Sequence, residues 1–495
     1  MSGETSDLLS VHLVSLGCAR NDVDSGELAA RLAEGGFRLV DDAEGADAVM
    51  VNTCGFITQA KQESVDVLLD AAELKAEGRT RAVVAVGCLA ERYGADLAAE
   101  LPEADVLGFD DYDDIAARLQ GILHGARPTP HVPRDRRELL PITPVERQAA
   151  VDRVVVPGVT HAGAGHLPAS GPRVFHRRLS GAPSAPLKIA SGCDRRCAFC
   201  AIPSFRGSYL SRPVDDIVAE ARWLASQGVR EAFLVSENTS SYGKDLGPGA
   251  DLETLLVALS GIEELPWLRV SYLQPAEIRP GLVETMGRLD SVVDYFDLSF
   301  QHAAPEVLRR MRRFGDPDAF LGLIDRVRSA APRAGIRANV IAGFPGETEQ
   351  DVELLADFLR AARLDVCGVF GYSDEEGTEG VRLDGHLSED EIEDRRAMLA
   401  DLVLEVMEER AADRIGEEVT VLLEERDEDD ARWVGRAAHQ GPEVDGVTVL
   451  DLSGPGDAPG GGTPGRPYAV GDLVRARVTG AEGIDLVARP LEERR

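Results

Sequence analysis

Cys193-Asp194-Arg195-Arg196-Cys197-Ala198-Phe199-Cys200 sets three cysteines within eight residues, just after an apolar run at 187–190. A structural zinc site normally takes four ligands, usually in two pairs. No further cysteine follows Cys200 within 160 residues, and no histidine within 100. Three thiolates suit a cubane 4Fe–4S cluster instead, and they leave its fourth iron open to an exchangeable ligand. The run before the cysteines is the first of six strand-like runs, at 187–190, 232–236, 268–272, 295–300, 338–342 and 366–370. Amphipathic helical patterns alternate with them, as at 214–227 and 349–362. Alternating β and α elements imply a parallel sheet. Six units fall short of the usual eight-stranded closed barrel. The expected α/β core, over 187–415, is therefore a partial (β/α)6 barrel, open on one side.

Upstream, three Val-rich runs at 11–16, 48–51 and 82–86 each lead into a cysteine: Cys18, Cys54 and Cys88. Helical patterns follow the first two, at 24–34 and 58–74. The cysteine intervals, 36 and 34 residues, approach the roughly 30-residue size of one βαβ unit. Each cysteine is thus expected at the carboxyl end of a strand in a parallel α/β sheet over 9–124. Open sheets of this kind bind ligands in the crevice at those ends. From 125 to 186 Pro, Gly, Arg and His dominate, which reads as a linker or insertion. Its His131, His161, His166 and His176 lack regular spacing and read as solvated loop residues rather than metal ligands. Downstream, a long helical pattern at 388–415 precedes five short strand-like runs at 419–423, 432–436, 447–451, 473–478 and 485–488. Gly-rich turns, including 454–465, separate them, so a small β-barrel is expected over 416–490.

The chain has 495 residues and 44% hydrophobic content, enough for about three domains. Its 53 basic and 86 acidic residues give a net charge of -33. That balance argues against a phosphate-binding groove across the whole surface. It suits a basic partner, or simply a solvated surface. The first ten residues contain Glu4 and Asp7 and no basic stretch of the signal-peptide kind. No run reaches the roughly 18 apolar residues of a membrane span. Seven cysteines in such a chain point to metal binding in a reducing cytoplasm rather than to disulfides.

The CxxxCxxC stretch, with Phe199 before its last cysteine, resembles the radical S-adenosylmethionine superfamily. The likeness extends along nearly the whole chain. Leu16-Gly17-Cys18-Ala19-Arg20-Asn21 with Asp24-Ser25, Asn52-Thr53-Cys54-Gly55-Phe56-Ile57 and Gly87-Cys88 resemble the amino-terminal domain of methylthiotransferases. Ile202-Pro203-Ser204-Phe205-Arg206-Gly207, Ser211-Arg212-Pro213, Gln301-His302, Gly343-Phe344-Pro345-Gly346-Glu347-Thr348 and 372–378 are similar to their radical core. The terminal strands stand where that family has its TRAM domain.

The resemblance implies two 4Fe–4S clusters, held by Cys193, Cys197 and Cys200 and by Cys18, Cys54 and Cys88. S-adenosyl-L-methionine would chelate the open iron of the first and give a 5′-deoxyadenosyl radical. The second would carry or present sulfur. A second S-adenosylmethionine would supply the methyl group, with a reduced electron donor and a sulfur donor as further partners. One branch of the family modifies an adenosine of tRNA. The other, the RimO type, modifies the β-carbon of an aspartate in ribosomal protein twelve of the small subunit. The CDRRCxFC, IPSFRG and NTCGFI stretches are similar to the latter. Residues 416–495 hold 17 acidic residues, 9 arginines and no lysine, a net charge of −8. A barrel that grips RNA should be basic. An acidic one suits a basic ribosomal protein, free or in the ribosomal particle, with RNA contact secondary. A non-catalytic iron–sulfur adaptor for the ribosome is the remaining alternative, and the intact cysteine set speaks against it.

Three places depart from the RimO-type pattern. Ser236-Glu237-Asn238-Thr239-Ser240 stands where Ala-Gln-Asp-Thr-Thr is usual, Gln274-Pro275 where Tyr-Pro is usual, and Ser299 where proline is common. Among smaller signals, Phe199, Glu237 and Gly343 are candidate cofactor contacts. Phe199 would pack beside the cofactor, Glu237 would meet its ammonium, and Gly343 would let backbone approach the adenosyl group. His302 reads as a hydrogen-bonded core residue and Cys367 as a small buried hydrophobe. The charge run 424–430 reads as a solvated turn.

Overall fold

A computed structural model describes residues 8–158, 177–427, 432–442, 444–452 and 467–491. His161, His166, His176, the 454–465 turn and residues 428–430 lie outside the described residues.

The amino-terminal strands are β1 (Ser10–Ser15), β2 (Arg38–Val40), β3 (Ala48–Thr53), β4 (Ala82–Val86) and β5 (Asp105–Val106). They form one parallel sheet in the order β2-β1-β3-β4-β5. Helices α1 (Ala19–Glu34), α2 (Thr58–Ala76) and α3 (Gly87–Glu100) cover it. The central strands β3 and β4 are buried along their whole length. Alternate residues serve opposite faces. Met50, Val84 and Val86 pack with Leu28 and Leu32 of α1, whereas Val49, Val51, Val83 and Ala85 pack with Leu68 and Ala71 of α2. Burial on both faces is why these strands read as continuous apolar runs.

The middle of the chain supplies β6 (Ser184–Lys188), a short antiparallel pair β7 (Ala190–Ser191) and β8 (Leu210–Ser211), then β9 (Glu231–Val235), β10 (Trp267–Val270), β11 (Tyr295–Gln301), β12 (Gly335–Ala342) and β13 (Val366–Gly371). Two parallel three-stranded sheets, β6-β9-β10 and β11-β12-β13, result. Parallel bridges Leu268–Val292 and Leu273–Leu298 join them. The product is the six-stranded partial barrel. Its core includes Phe300, whose ring packs 4.7 Å from Phe320 and 5.3 Å from Phe358.

A helix over Glu389–Asp413 opens with a capping box between Ser388 and Glu391 and packs on β12 and β13. It delivers the chain to β14 (Glu418–Arg426), β15 (Trp433–Ala437), β16 (Thr448–Leu450), β17 (Leu473–Glu482) and β18 (Asp485–Pro490). These close into a barrel in the order β14-β15-β16-β18-β17. Along β17, Val474, Ala476 and Val478 point inward and Arg475 and Arg477 outward. The described start of the 424–430 charge run is not a turn. Glu424–Arg426 prolong β14, and Glu424 pairs with Arg436 at 2.6 Å.

The described part of 125–158 is a packed strap rather than a solvated linker. Arg136 is buried and donates to Glu91 at 3.0 Å, and Arg147 donates to Asp194 at 2.8 Å. Gln148 reaches Asp245 at 2.7 Å. His131 is not solvated either, because its ring lies 3.5 Å from Glu91. The strap thereby touches both the amino-terminal sheet domain and the radical core.

The barrel joins the core through a buried ionic group. Glu231 of β9 pairs with Arg269 at 2.6 Å and with Arg436 of β15. Burial opposes ionisation of Glu231, but the two guanidiniums hold its pKa down at about 2. Tyr295 donates to Asp445 at 2.6 Å. Trp267, Val293, Tyr295 and Leu422 make an apolar cluster around the same junction.

Candidate functional site

Cys18 caps α1 just after β1, Cys54 follows β3, and Cys88 lies in the first turn of α3 after β4. All three therefore stand at the carboxyl edge of the sheet. The turn before Cys18 needs Gly17, whose φ is +96°. A Cβ on Gly17 would stand 2.8 Å from Cys54 Cβ and 2.9 Å from its Sγ. Asn21 ties the loops together by donating to the carbonyls of Leu16 at 2.8 Å and Thr53 at 3.2 Å. Ser64 of α2 accepts from the Cys54 N–H at 2.9 Å.

The charges around this set come from both domains. Arg20 Nε donates to Cys18 Sγ at 3.4 Å, and Arg206 Nη2 donates to Cys88 Sγ at 3.0 Å. Burial works against the Cys18 thiolate, yet Arg20 and Arg206 hold its pKa below the ordinary thiol value. Burial dominates at the other two: Cys54 is raised, and Cys88 is pushed up to about 12. A bound metal would reverse that preference, because a coordinating thiol is deprotonated outright.

The second set follows β7. Cys193 N–H donates to the Gly207 carbonyl at 3.0 Å, and Cys200 N–H to the Cys197 carbonyl at 3.1 Å. Asp194 pins the loop by accepting from Tyr209 N–H at 3.1 Å and from Arg147. Arg313 lies 3.7 Å from Cys197 Sγ and also donates to the Ser299 carbonyl. Burial, then the neighbouring thiols, push Cys193 far up and Cys200 up to about 12. Beside this set, Ser191 Oγ, Arg195 Nε, Glu237 Oε2 and Asn238 Oδ1 are buried with no hydrogen-bond partner. Unpaired buried polar atoms are costly. Gathered at three cysteines, they fit a site that takes a polar ligand.

The two sets share one crevice. Arg20 bridges them: beyond Cys18 it donates to the Ser236 carbonyl at 3.3 Å, lies 4.0 Å from Glu237 and stacks 4.6 Å from the Tyr272 ring centroid. Its charge reaches Cys200 as well as Cys18. Among the described residues no three His, Cys, Asp or Glu groups converge tightly enough for a single metal ion. Each set brings three thiols, the chemistry of a cluster with an open iron rather than of a mononuclear centre. The residues present fit such clusters.

Glu237 is not a surface carboxylate; its side chain is 2% exposed. Phe199 is half-buried at the edge of a cluster of Ala304, Met311, Phe344 and Tyr372. Gly343 serves packing: a Cβ there would meet Ile392 Cγ1 at 2.6 Å, and its N–H donates to Glu347 at 2.9 Å. His302 is fully buried, accepts from Ala304 N–H at 2.9 Å and lies 3.2 Å from Glu347, as a core histidine should. Cys367 is buried in β13. The departures at 240 and 274 touch each other, with Gln274 N–H donating to Ser240 Oγ at 2.8 Å. The sequence reading assigned no role to Arg20, Asp24, Lys188, Arg206 or Arg313. One signal was available: Lys188 is a lone charge inside the apolar run 187–190.

Comparison with known proteins places these parts in order. Residues 10–108 match the Uncharacterized protein family UPF0004, residues 187–359 the Radical SAM superfamily, and residues 415–491 the TRAM domain. The chain is 62% identical over 488 residues to ribosomal protein uS12 methylthiotransferase RimO of Cutibacterium acnes, covering 98% of each chain. It is 60% identical to the protein of that name from Kineococcus radiotolerans, covering 97% of each. Among solved structures it resembles the radical S-adenosylmethionine methyltransferase TsrM from Kitasatospora setae, with a TM-score of 0.50 and 15% identity. That likeness covers 74% of this chain and 75% of the other, and it concerns the fold alone. No helix among the described residues is long and apolar enough to cross a membrane.

Proposed function

The chain belongs to the RimO family of ribosomal protein uS12 methylthiotransferases within the radical SAM superfamily, and we propose that it adds a methylthio group to the β-carbon of an aspartate in uS12. The observation that carries this reading is the pair of three-cysteine sets opening on one crevice, with Arg20 between them.

An aspartate β C–H bond is far too weakly acidic for a side-chain base at neutral pH. When bound, a cluster at Cys193, Cys197 and Cys200 with S-adenosylmethionine supplies hydrogen abstraction from such a carbon, and a second cluster at Cys18, Cys54 and Cys88 supplies the sulfur. The chain's own groups arrange this. The unpartnered Glu237 Oε2 offers an acceptor for the ammonium of S-adenosylmethionine. Phe199 closes the apolar side of the loop beside the cysteines. Arg20 and Arg313 place positive charge against Cys18 and Cys197. The Arg20 and Glu237 side chains are 13% and 2% exposed, and that burial strengthens their interactions. The acidic carboxyl-terminal barrel favours encounter with a basic protein over RNA. A reduced electron donor and a sulfur donor complete the partners.

Anaerobic reconstitution with S-adenosylmethionine and reductant tests the proposal, with purified uS12 or tRNA as the acceptor. A mass gain on a uS12 aspartate is expected. A modified adenosine would transfer the reading to tRNA. Absence of 5′-deoxyadenosine in both reactions would overturn radical chemistry altogether.

A further inference from the structure

Arg206 ends the short helix Ile202–Arg206 of the radical core, yet its guanidinium serves the amino-terminal domain. Nη1 donates to Asp24 Oδ2 at 2.6 Å, and Nη2 donates to Asn21 Oδ1 at 2.9 Å and Cys88 Sγ at 3.0 Å. Its guanidinium carbon stands 4.9 Å from the Phe109 ring centroid. The other Asp24 oxygen accepts from Lys188 Nζ at 2.6 Å. Lys188 also donates to the Pro157 carbonyl of the strap at 2.8 Å. Asp24 and Lys188 are fully buried and Arg206 nearly so.

Two cations on one carboxylate leave this buried group with one positive charge in excess. The nearby Glu27 does not offset it, being committed to Arg31 at 2.7 Å and to the Gly158 N–H at 2.6 Å; Glu237, whose charge also reaches Arg206, lies 4.0 Å from Arg20. The excess faces the Cys88 sulfur. Among the described hydrogen bonds, Arg206 is the cation that crosses from one domain to a cysteine of the other. Cys18 is met by Arg20 of its own domain, and Cys197 by Arg313 of its own domain.

We propose that Arg206 is a positioning residue that sets the reduction potential of the cluster held by Cys18, Cys54 and Cys88, so that this potential depends on docking of the radical core. The proposal rests on those cysteines being cluster ligands. An N–H donor and a positive charge at a ligand sulfur favour the more negative, reduced form of a cluster and raise its potential. Burial leaves that charge little screened. Asp24 opposes the effect by sharing the same guanidinium.

The test uses the full chain carrying Cys193→Ala, Cys197→Ala and Cys200→Ala, so that only the first set can hold a cluster. Iron and sulfide are reconstituted anaerobically; iron content, the electron paramagnetic resonance of the reduced cluster and its midpoint potential are then read. Against this background, Arg206→Gln should keep its iron and lower the potential. Arg206→Lys should restore part of the shift, and Asp24→Asn should move the potential upward. Opposite signs distinguish a charge effect from a general loosening of the fold. Equal potentials in the background and in Arg206→Gln would overturn the proposal, as would shifts of one sign in Arg206→Gln and Asp24→Asn. Loss of iron in both Arg206 variants would make the residue a fold support only. A background that binds no iron at all would overturn the cluster reading itself, and the proposal with it.

Discussion

At the amino-terminal side of the radical core, Lys188 and Arg206 converge on Asp24; at the carboxyl-terminal side, Arg269 and Arg436 converge on Glu231. Both joints bury two cations on one carboxylate. They differ in what completes the charge. Arg436 has a second carboxylate, Glu424, at 2.6 Å, so the barrel joint balances within the protein. At the amino-terminal joint the surplus points at the Cys88 thiol. The barrel joint also gathers Trp267, Val293 and Leu422, while the other borders a crevice lined by cysteines and unpartnered polar atoms. One joint is built for cohesion. The other leaves charge and polar groups free for what the crevice binds, and forgoes some stability to do so.

Substitutions can break that contrast, the largest effects lying on the crevice side. Cys193→Ala should abolish 5′-deoxyadenosine formation, whereas Cys54→Ala should still form it and insert no sulfur; product analysis by mass spectrometry separates the two. Gly17→Ala should expel roughly half of the cluster iron, because its Cβ would collide with Cys54 in a backbone conformation that suits glycine. Cleavage of S-adenosylmethionine should persist in that variant, and iron and sulfide analysis checks the loss.

On the barrel side the expected signature is stability. Glu231→Gln leaves two guanidiniums facing a neutral partner and should cost about 3–5 kcal/mol in denaturant unfolding. The iron content of that variant should match the parent. The same site has a pH signature. Its folded pKa of about 2 lies below the ordinary value of 4.5, so its contribution is complete above pH 4.5 and fades as pH falls toward 2. The advantage of the parent over Glu231→Gln in thermal unfolding should therefore shrink across that window. The smallest effect belongs to Lys61, which pairs with Glu375 at 2.9 Å and is 21% exposed. Arg92 holds the same carboxylate oxygen at 2.8 Å. Lys61→Met should thus cost about 1 kcal/mol or less, and a larger loss would make this contact between the two domains cohesive too.

Much of this was legible where the signal is local. The apolar run 82–86 became β4 residue for residue, and the period over 349–362 became a helix with those same ends. The cysteine spacings located both sets. Short edge strands escaped: β2 and β5 have three and two residues, too few to show alternation. The run at 187–190 hid a strand that starts at Ser184, because Pro186 interrupts the pattern. Proline is tolerated there because β6 lies at the edge of its sheet. Arg206 stands in a quoted motif, but its partner Asp24 lies 182 residues away, and Lys188 is 164 residues from the same carboxylate. No pattern in one segment announces a partner in another. The strap was misjudged for a related reason: polar, proline-rich composition describes a loop's solvent preference, not the buried Arg136 and Arg147 that pin it.

The 118 residues between Cys88 and Arg206 also set a clock. At about 5–20 residues per second, translation takes roughly 6–24 s to cover that distance. Through that interval all three cysteines of the amino-terminal set have been made while the core that will cover them is incomplete. Cys18, Cys54 and Cys88 are then open to solvent and to any carrier of iron and sulfide. The order of synthesis gives the amino-terminal set a loading window that closes when Arg206 arrives.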